Sequence, residues 1–135
     1  MTTKLVRDRV PHTTHPGRPA LRPATDFSLV PHVAYADAIA AKLDEEVSEF
    51  ATAFAHCVDP ETGGPRGAGE RTPEARRALA QFITEGADVI EIVYAHARHL
   101  GVSRSEIDAA VESRRNLDGG FDAGVVLTES EEHHG

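Results

Sequence analysis

Apolar side chains recur at steps of three and four residues between Val33 and Cys57, at Ile39, Leu43, Val47, Phe50 and Phe54. That spacing lays them along one face and predicts a helix over the range. A second run opens at Thr72 and Pro73, an N-cap followed by a residue suited to the first turn. It continues to Leu100 with Gly86 as its one breaker, and Gly101 then stops it. Along this second helix Leu79, Phe82, Ile83, Ile90, Val93, Ala97 and Leu100 form the main apolar stripe. Val89, Ile92 and Ala95 widen it enough to predict more than one packing neighbour. Ser103 followed three residues later by Glu106 predicts a capping box and a third helix, from Arg104 to about Leu117, ended by Gly119 and Gly120.

Between and around these runs the pattern breaks down. Residues 1–10 mix Leu5, Val6 and Val10 with charges and read as an extended arm. Five prolines, at 11, 16, 19, 23 and 31, exclude a continuous helix up to residue 32 and make that stretch an arm and loop. Four glycines and three prolines in residues 59–73 mark a flexible insertion between helices. Val125–Leu127 is a candidate for a short terminal strand, and residues 128–135 read as an acidic, His-bearing tail.

A length of 135 residues suits one domain, spanning 1–135. Aromatic residues make up only 5% of it and Trp is absent, which favours an all-α fold packed through small side chains. The formal charge of −8 argues against a protein that grips nucleic acid through its phosphates. A small anionic substrate is compatible with that charge if bound cations and local Arg or Lys offset it. Cys57 is the single cysteine and has no internal disulfide partner, and no apolar run approaches the length of a signal core or membrane span. The expected setting is a reducing cytoplasm, with no membrane and no nucleic acid as partner.

Two acidic clusters interrupt the apolar faces. Glu45, Glu46 and Glu49 lie within KLDEEVSEF on the first helix, and Glu85, Asp88 and Glu91 within EGADVIEIVY on the second. Carboxylates one turn apart can offer several oxygens to a single hard cation. Either cluster alone reads as the solvated face of an amphipathic helix; two with the same spacing, in the most apolar parts of the chain, point to a site. Two charges about 4 Å apart repel by roughly 4 kcal/mol at an effective dielectric near 20, so converging carboxylates need a counter-charge. An all-oxygen set fits Mg²⁺ or Mn²⁺, whereas zinc prefers His and Cys. Glu91 projects furthest toward the polar side and is the weakest member, while Asp88 stands apart from the main stripe, beside Ile92 and Ala95, and is expected to face a second helix layer, as from another subunit.

Glu46-Val-Ser-Glu49 and Glu85-Gly-Ala-Asp88 resemble the ExxE and ExxD elements of the MazG-like branch of the all-α nucleoside triphosphate pyrophosphohydrolases. The opening KLVRDRVP, Lys4–Pro11, is similar to that of small members described as phosphoribosyl-ATP pyrophosphohydrolase-like, and Gly119-Gly120-Phe121 resembles the GGF after their last helix. The chain departs from the pattern in the long spacing between Glu49 and Glu85, in Gly86, and in Asp122-Ala123-Gly124 where a basic residue is common. The resemblance implies cleavage between the α- and β-phosphates of a nucleoside triphosphate or related phosphorylated small molecule. It implies Glu46, Glu49, Glu85 and Asp88 as ligands for Mg²⁺ or Mn²⁺. Glu45, Glu46 and Glu49 are then the catalytic group, with Glu45 activating water. Arg114, Arg115 and Asn116 are the implied triphosphate contacts, with Lys42, Lys4 and Arg7 as further candidates. For Lys4–Asp8 an arm anchored by an Arg7–Asp8 ion pair is an equal alternative.

His96 and His99 lack a third soft ligand and read as polar-face histidines, and Cys57 as a helix-end contact. The expected architecture is a MazG-like helical bundle with an extended N-terminal arm, completed by homo-oligomerisation as a homodimer or a homotetramer. A helical binding or regulatory module without catalysis, and a hydrolase of phosphoribosyl-ATP, are the competing functions.

Overall fold

A computed structural model describes residues 4–8, 28–67, 69 and 72–129. The expectations for residues 9–27 and for the end of the tail, 130–135, lie outside those residues. Three α-helices are present among the described residues: α1, Tyr35–Cys57; α2, Pro73–His99; and α3, Arg104–Asp118. The fold is all-α.

Each helix ends where its local chemistry dictates. α1 grows out of a 3₁₀ turn at His32–Ala34, whose last amide donates to the Pro31 carbonyl at 2.9 Å. Thr72 caps α2 by accepting from the Ala75 amide at 3.2 Å, with Pro73 in the first turn. At its other end Gly101 takes φ +76°, with its amide on the Arg98 carbonyl and the Val102 amide reaching back to that of Ala97 at 2.8 Å. This is a Schellman closure, which needs a residue at ease with positive φ. The α3 capping box forms in both directions, Glu106 N to Ser103 Oγ at 3.2 Å and Ser103 N to Glu106 Oε2 at 2.7 Å.

α1 and α2 pack along most of their lengths. Ile39, Ala53, Ala75, Ile92 and Ala97 are buried, and the Phe82 ring meets Phe50 at 5.2 Å and Phe54 at 6.2 Å between centroids. The packing face of α2 thus runs through Ala75, Phe82, Gly86, Ile92 and Ala97, which keeps Phe82 and Ala97 of the expected main stripe and Ile92 of its extension but not the larger aliphatic residues. Ile83, Ile90 and Leu100 stay exposed, as do Val47 and Phe54 of α1. The physical reason is proximity: small residues on the inner face let α1 approach closely, so it covers that face and leaves the larger aliphatic side chains outward.

α3 docks mainly on α2, near its end. Tyr94 Oη donates to Asp108 Oδ1 at 2.6 Å, and the Arg104 guanidinium lies 4.8 Å over the Tyr94 ring. No residue of α3 is buried. The insertion carries local order: Val58 and Pro65 form an isolated bridge, and the Asp59 amide donates to the Gly64 carbonyl at 2.8 Å. Val125–Leu127 is not a strand. The segment is exposed and has no neighbouring strand among the described residues to supply a ladder.

Candidate metal centre

Gly86 sets how closely the two helices meet beside the acids. A Cβ there would lie 3.4 Å from Phe50 Cε2, so the aromatic ring sits directly on the α2 backbone. Phe50 follows Glu49 and Gly86 follows Glu85 in the chain, so this contact brings the two acidic turns face to face. Oxygens of Glu46, Glu85 and Asp88 lie within 4.8 Å of one another, and so do those of Glu45, Glu46 and Glu49. Glu46 belongs to both groups and joins the clusters of α1 and α2 into one. Asp88 meets Glu46 of α1, so the helix layer it faces is supplied within its own chain.

Glu46 and Glu85 are 5% and 9% exposed, the only polar side chains buried among the described residues. Glu46 Oε1 receives Lys42 Nζ at 2.9 Å, and Glu85 Oε1 accepts from Gln81 Nε2. The second oxygen of each, Oε2, is buried with no hydrogen-bond partner. A buried carboxylate oxygen left unpaired costs stability, and two in one cluster are suited to a cationic partner. The donor set, carboxylate oxygen throughout, suits a hard divalent cation such as Mg²⁺ or Mn²⁺.

The electrostatics tell the same story. The Glu49 carboxyl is pushed up from its ordinary value, first by desolvation, then by the charge of Glu46, a hydrogen bond with Glu85 and the charges of Glu85 and Glu45. For Lys42, burial alone favours the neutral amine, but the hydrogen bond and charge of Glu46, with Glu45 behind them, hold its ammonium above the usual range. Lys42 also approaches Glu45 Oε2 at 3.4 Å.

The N-terminal arm completes the cluster. Lys4 Nζ stands 3.6 Å from Glu45 Oε1, and Arg7 places both Nε, at 3.0 Å, and Nη2 on Asp88 Oδ1. Of the two readings of Lys4–Asp8, the one with an Arg7–Asp8 pair gives way to a long-range pair from the arm to Asp88 of α2. Glu91 is outside the cluster, paired with Arg98 Nη2 at 3.1 Å.

Arg114, Arg115 and Asn116 are exposed on α3. Arg114 pairs with Asp118 at 3.2 Å and Arg115 with Asp122 at 3.7 Å, not with the acidic cluster. Arg114 and Arg115 border a shallow groove of about 550 Å³ with Ile107, Val111 and Phe121, and Asn116 lies outside it. His99 packs against Tyr35 and His32, with ring centroids 5.2 and 5.9 Å away, and His96 Nδ1 meets the Ile92 carbonyl at 2.7 Å. His99 joins the end of α2 to the start of α1, whereas His96 bonds within its own helix. Cys57 closes α1, with its carbonyl accepting from the Arg66 amide at 2.7 Å.

Two participants were open to recognition by spacing alone. Gln81 stands four residues before Glu85, and Lys42 four before Glu46, each one turn from the acid it serves. No protein-family model matches the chain, and no curated protein or solved structure matches it.

Proposed function

We propose that this chain is a Mg²⁺-dependent nucleoside triphosphate pyrophosphohydrolase of the MazG-like kind, releasing a nucleoside monophosphate and pyrophosphate. The observation that carries the reading is the convergence of Glu46, Glu85 and Asp88 from two helices, with an unpartnered buried oxygen on each of the two glutamates. Glu46, Glu49, Glu85 and Asp88 hold the cation. When bound, the cation neutralises phosphate oxygens and acidifies water near them. Glu45, on the side of the exposed Lys4, accepts the proton of the attacking water. Lys42 keeps Glu46 oriented through their 2.9 Å pair. Manganese substitutes for magnesium in the same oxygen set.

Homodimerisation belongs to this proposal, and pairing of dimers into a tetramer is its extension. Phe54, Ile83, Ile90 and Leu100 are all more than half exposed, which a second copy would relieve. No helix among the described residues is long and apolar enough to cross a membrane.

A second reading has its own support: every phosphate-binding candidate with a cationic side chain already has an acidic partner within the chain. On that reading the molecule is a nucleotide-binding or regulatory module without turnover. Pyrophosphate release from a nucleotide panel with Mg²⁺, extended to phosphoribosyl-ATP, separates the two. Glu49→Gln and Asp88→Asn should each lower turnover by at least about a hundredfold, the scale of losing a charge-stabilising group, with helicity unchanged. Full activity in both variants defeats the assignment, and a panel that yields no product with wild type favours the binding module.

A further inference from the structure

Lys4 and Arg7 approach the acids from a segment with no regular secondary structure, whereas Lys42 is fixed on α1 itself. Five carboxylates meet here, Glu45, Glu46, Glu49, Glu85 and Asp88, against three cationic side chains, Lys4, Arg7 and Lys42, an excess of two negative charges when all are ionised. Asp88 Oδ1 is engaged twice by Arg7, while the buried Oε2 atoms of Glu46 and Glu85 have no partner. The arm thus neutralises the solvent side of the cluster, while in the interior Lys42 serves Glu46 Oε1 and the two Oε2 atoms have no partner.

We infer that residues 4–8 form an exchangeable cationic strap: Lys4 and Arg7 stand in for the divalent cation when it is absent, leave Glu45 and Asp88 when it enters, and then take the phosphate chain. The inference rests on the proposed metal centre and concerns how that centre couples cation to substrate. A divalent ion drawn inward by the two unpartnered oxygens competes with Arg7 for the lone pairs of Asp88 and repels the guanidinium with twice the force of a monovalent neighbour. Lys42 stays beside Glu46, one turn away on the same helix and with its side chain only 16% exposed. Lys4 and Arg7 can, since their side chains are 63% and 54% exposed and their backbone belongs to no helix. A polyphosphate arriving with the cation then offers the negative charge they have lost. Cation and phosphate binding become linked, each favouring the other by the same factor.

Hydrogen exchange of the amides in residues 4–8, in the full chain, reads the strap directly. Mn²⁺ alone should accelerate exchange there, and Mn²⁺ with tripolyphosphate should slow it again. Titration calorimetry with Mn²⁺ should show Lys4→Ala/Arg7→Ala binding about fivefold tighter than wild type, the order that two exposed ion pairs account for. Mn²⁺ binding with unchanged exchange in residues 4–8 overturns the strap and leaves the metal centre standing. Release that tripolyphosphate does not reverse overturns the phosphate step. Absence of any Mn²⁺ binding in wild type and variant removes the centre and the strap together.

Discussion

Between α1 and α2, two glutamates occupy core positions with one oxygen each unpartnered, whereas α3 carries all its charge on the surface, most of it in pairs with near neighbours. Arg104 with Asp108 and Arg114 with Asp118 are i,i+4 pairs, each contributing a few tenths of a kcal/mol to their own helix. α3 needs little from the rest of the molecule, because its capping box and ion pairs are local. The α1–α2 interface surrenders stability to hold acids where an alkyl group would pack better. A ligand that supplied the missing charge would offset that cost, and the contrast makes this interface the candidate site.

The widest separation between the two regions should appear on truncation of an aliphatic side chain. Ile39 is 2% exposed, so Ile39→Ala is expected to cost about 2–5 kcal/mol in denaturant unfolding. Val111 on α3 is 63% exposed, and Val111→Ala should change stability by less than about 0.5 kcal/mol at dilutions where the chain is monomeric. If the cost at Val111 grows with protein concentration, a second copy covers the α3 groove and the contrast between the regions belongs to the monomer alone. Equal costs at high dilution would refute the division drawn here.

The helices were legible because their signals are local. Thr72 and Pro73, Gly101, and the Ser103–Glu106 pair mark ends through bonds within a few residues, and each forms as its spacing predicts. The paired acids were legible for the same reason, since one turn of separation is a property of the helix. Which side of α2 faces α1 was legible only in part, through Phe82, Ile92 and Ala97. Ile83 and Ile90 are more apolar than Ala75 or Gly86, and only the close approach of Phe50 to Gly86 decides for the smaller side chains. The partners of Arg7 were also hidden, because its contact with Asp88 spans 81 positions and an adjacent Asp8 offered a plausible alternative. Arg114 and Arg115 show the limit of an analogy by motif: their spacing is kept, but their nearest acids are Asp118 and Asp122.

Gly86 gives a smaller and oppositely signed test. A methyl group there would meet Phe50 Cε2 at 3.4 Å, ordinary contact, and the position is helical with no positive φ. Gly86→Ala should therefore stabilise the chain by about 0.5–1 kcal/mol, through reduced backbone freedom in the unfolded state and better helix propensity. Gly86→Leu should instead push Phe50 away and separate the acids, with weaker Mn²⁺ binding as the readout. A stabilising Gly86→Leu with undiminished Mn²⁺ affinity would show that close packing at this point does not set the site.

The smallest expected effect concerns Glu49, whose exposure lets water and salt screen its neighbours. Its carboxyl is held above the ordinary value near 4.5, so the folded state binds that proton more tightly than the unfolded chain. Stability from this group is complete below the ordinary carboxylate pKa and is lost as pH rises through the elevated one, where the folded protein must ionise it against Glu46 and Glu85. On the acidic side of neutrality the metal-free wild type should lose melting temperature with rising pH relative to Glu49→Gln, which has no proton to release. Mg²⁺ should flatten the difference, because a cation that engages the carboxylates removes the repulsion that produces it. Parallel curves for wild type and variant without metal would mean that Glu49 does not feel the cluster. The joining of α1 and α2 acids would then stop at Glu46, Glu85 and Asp88.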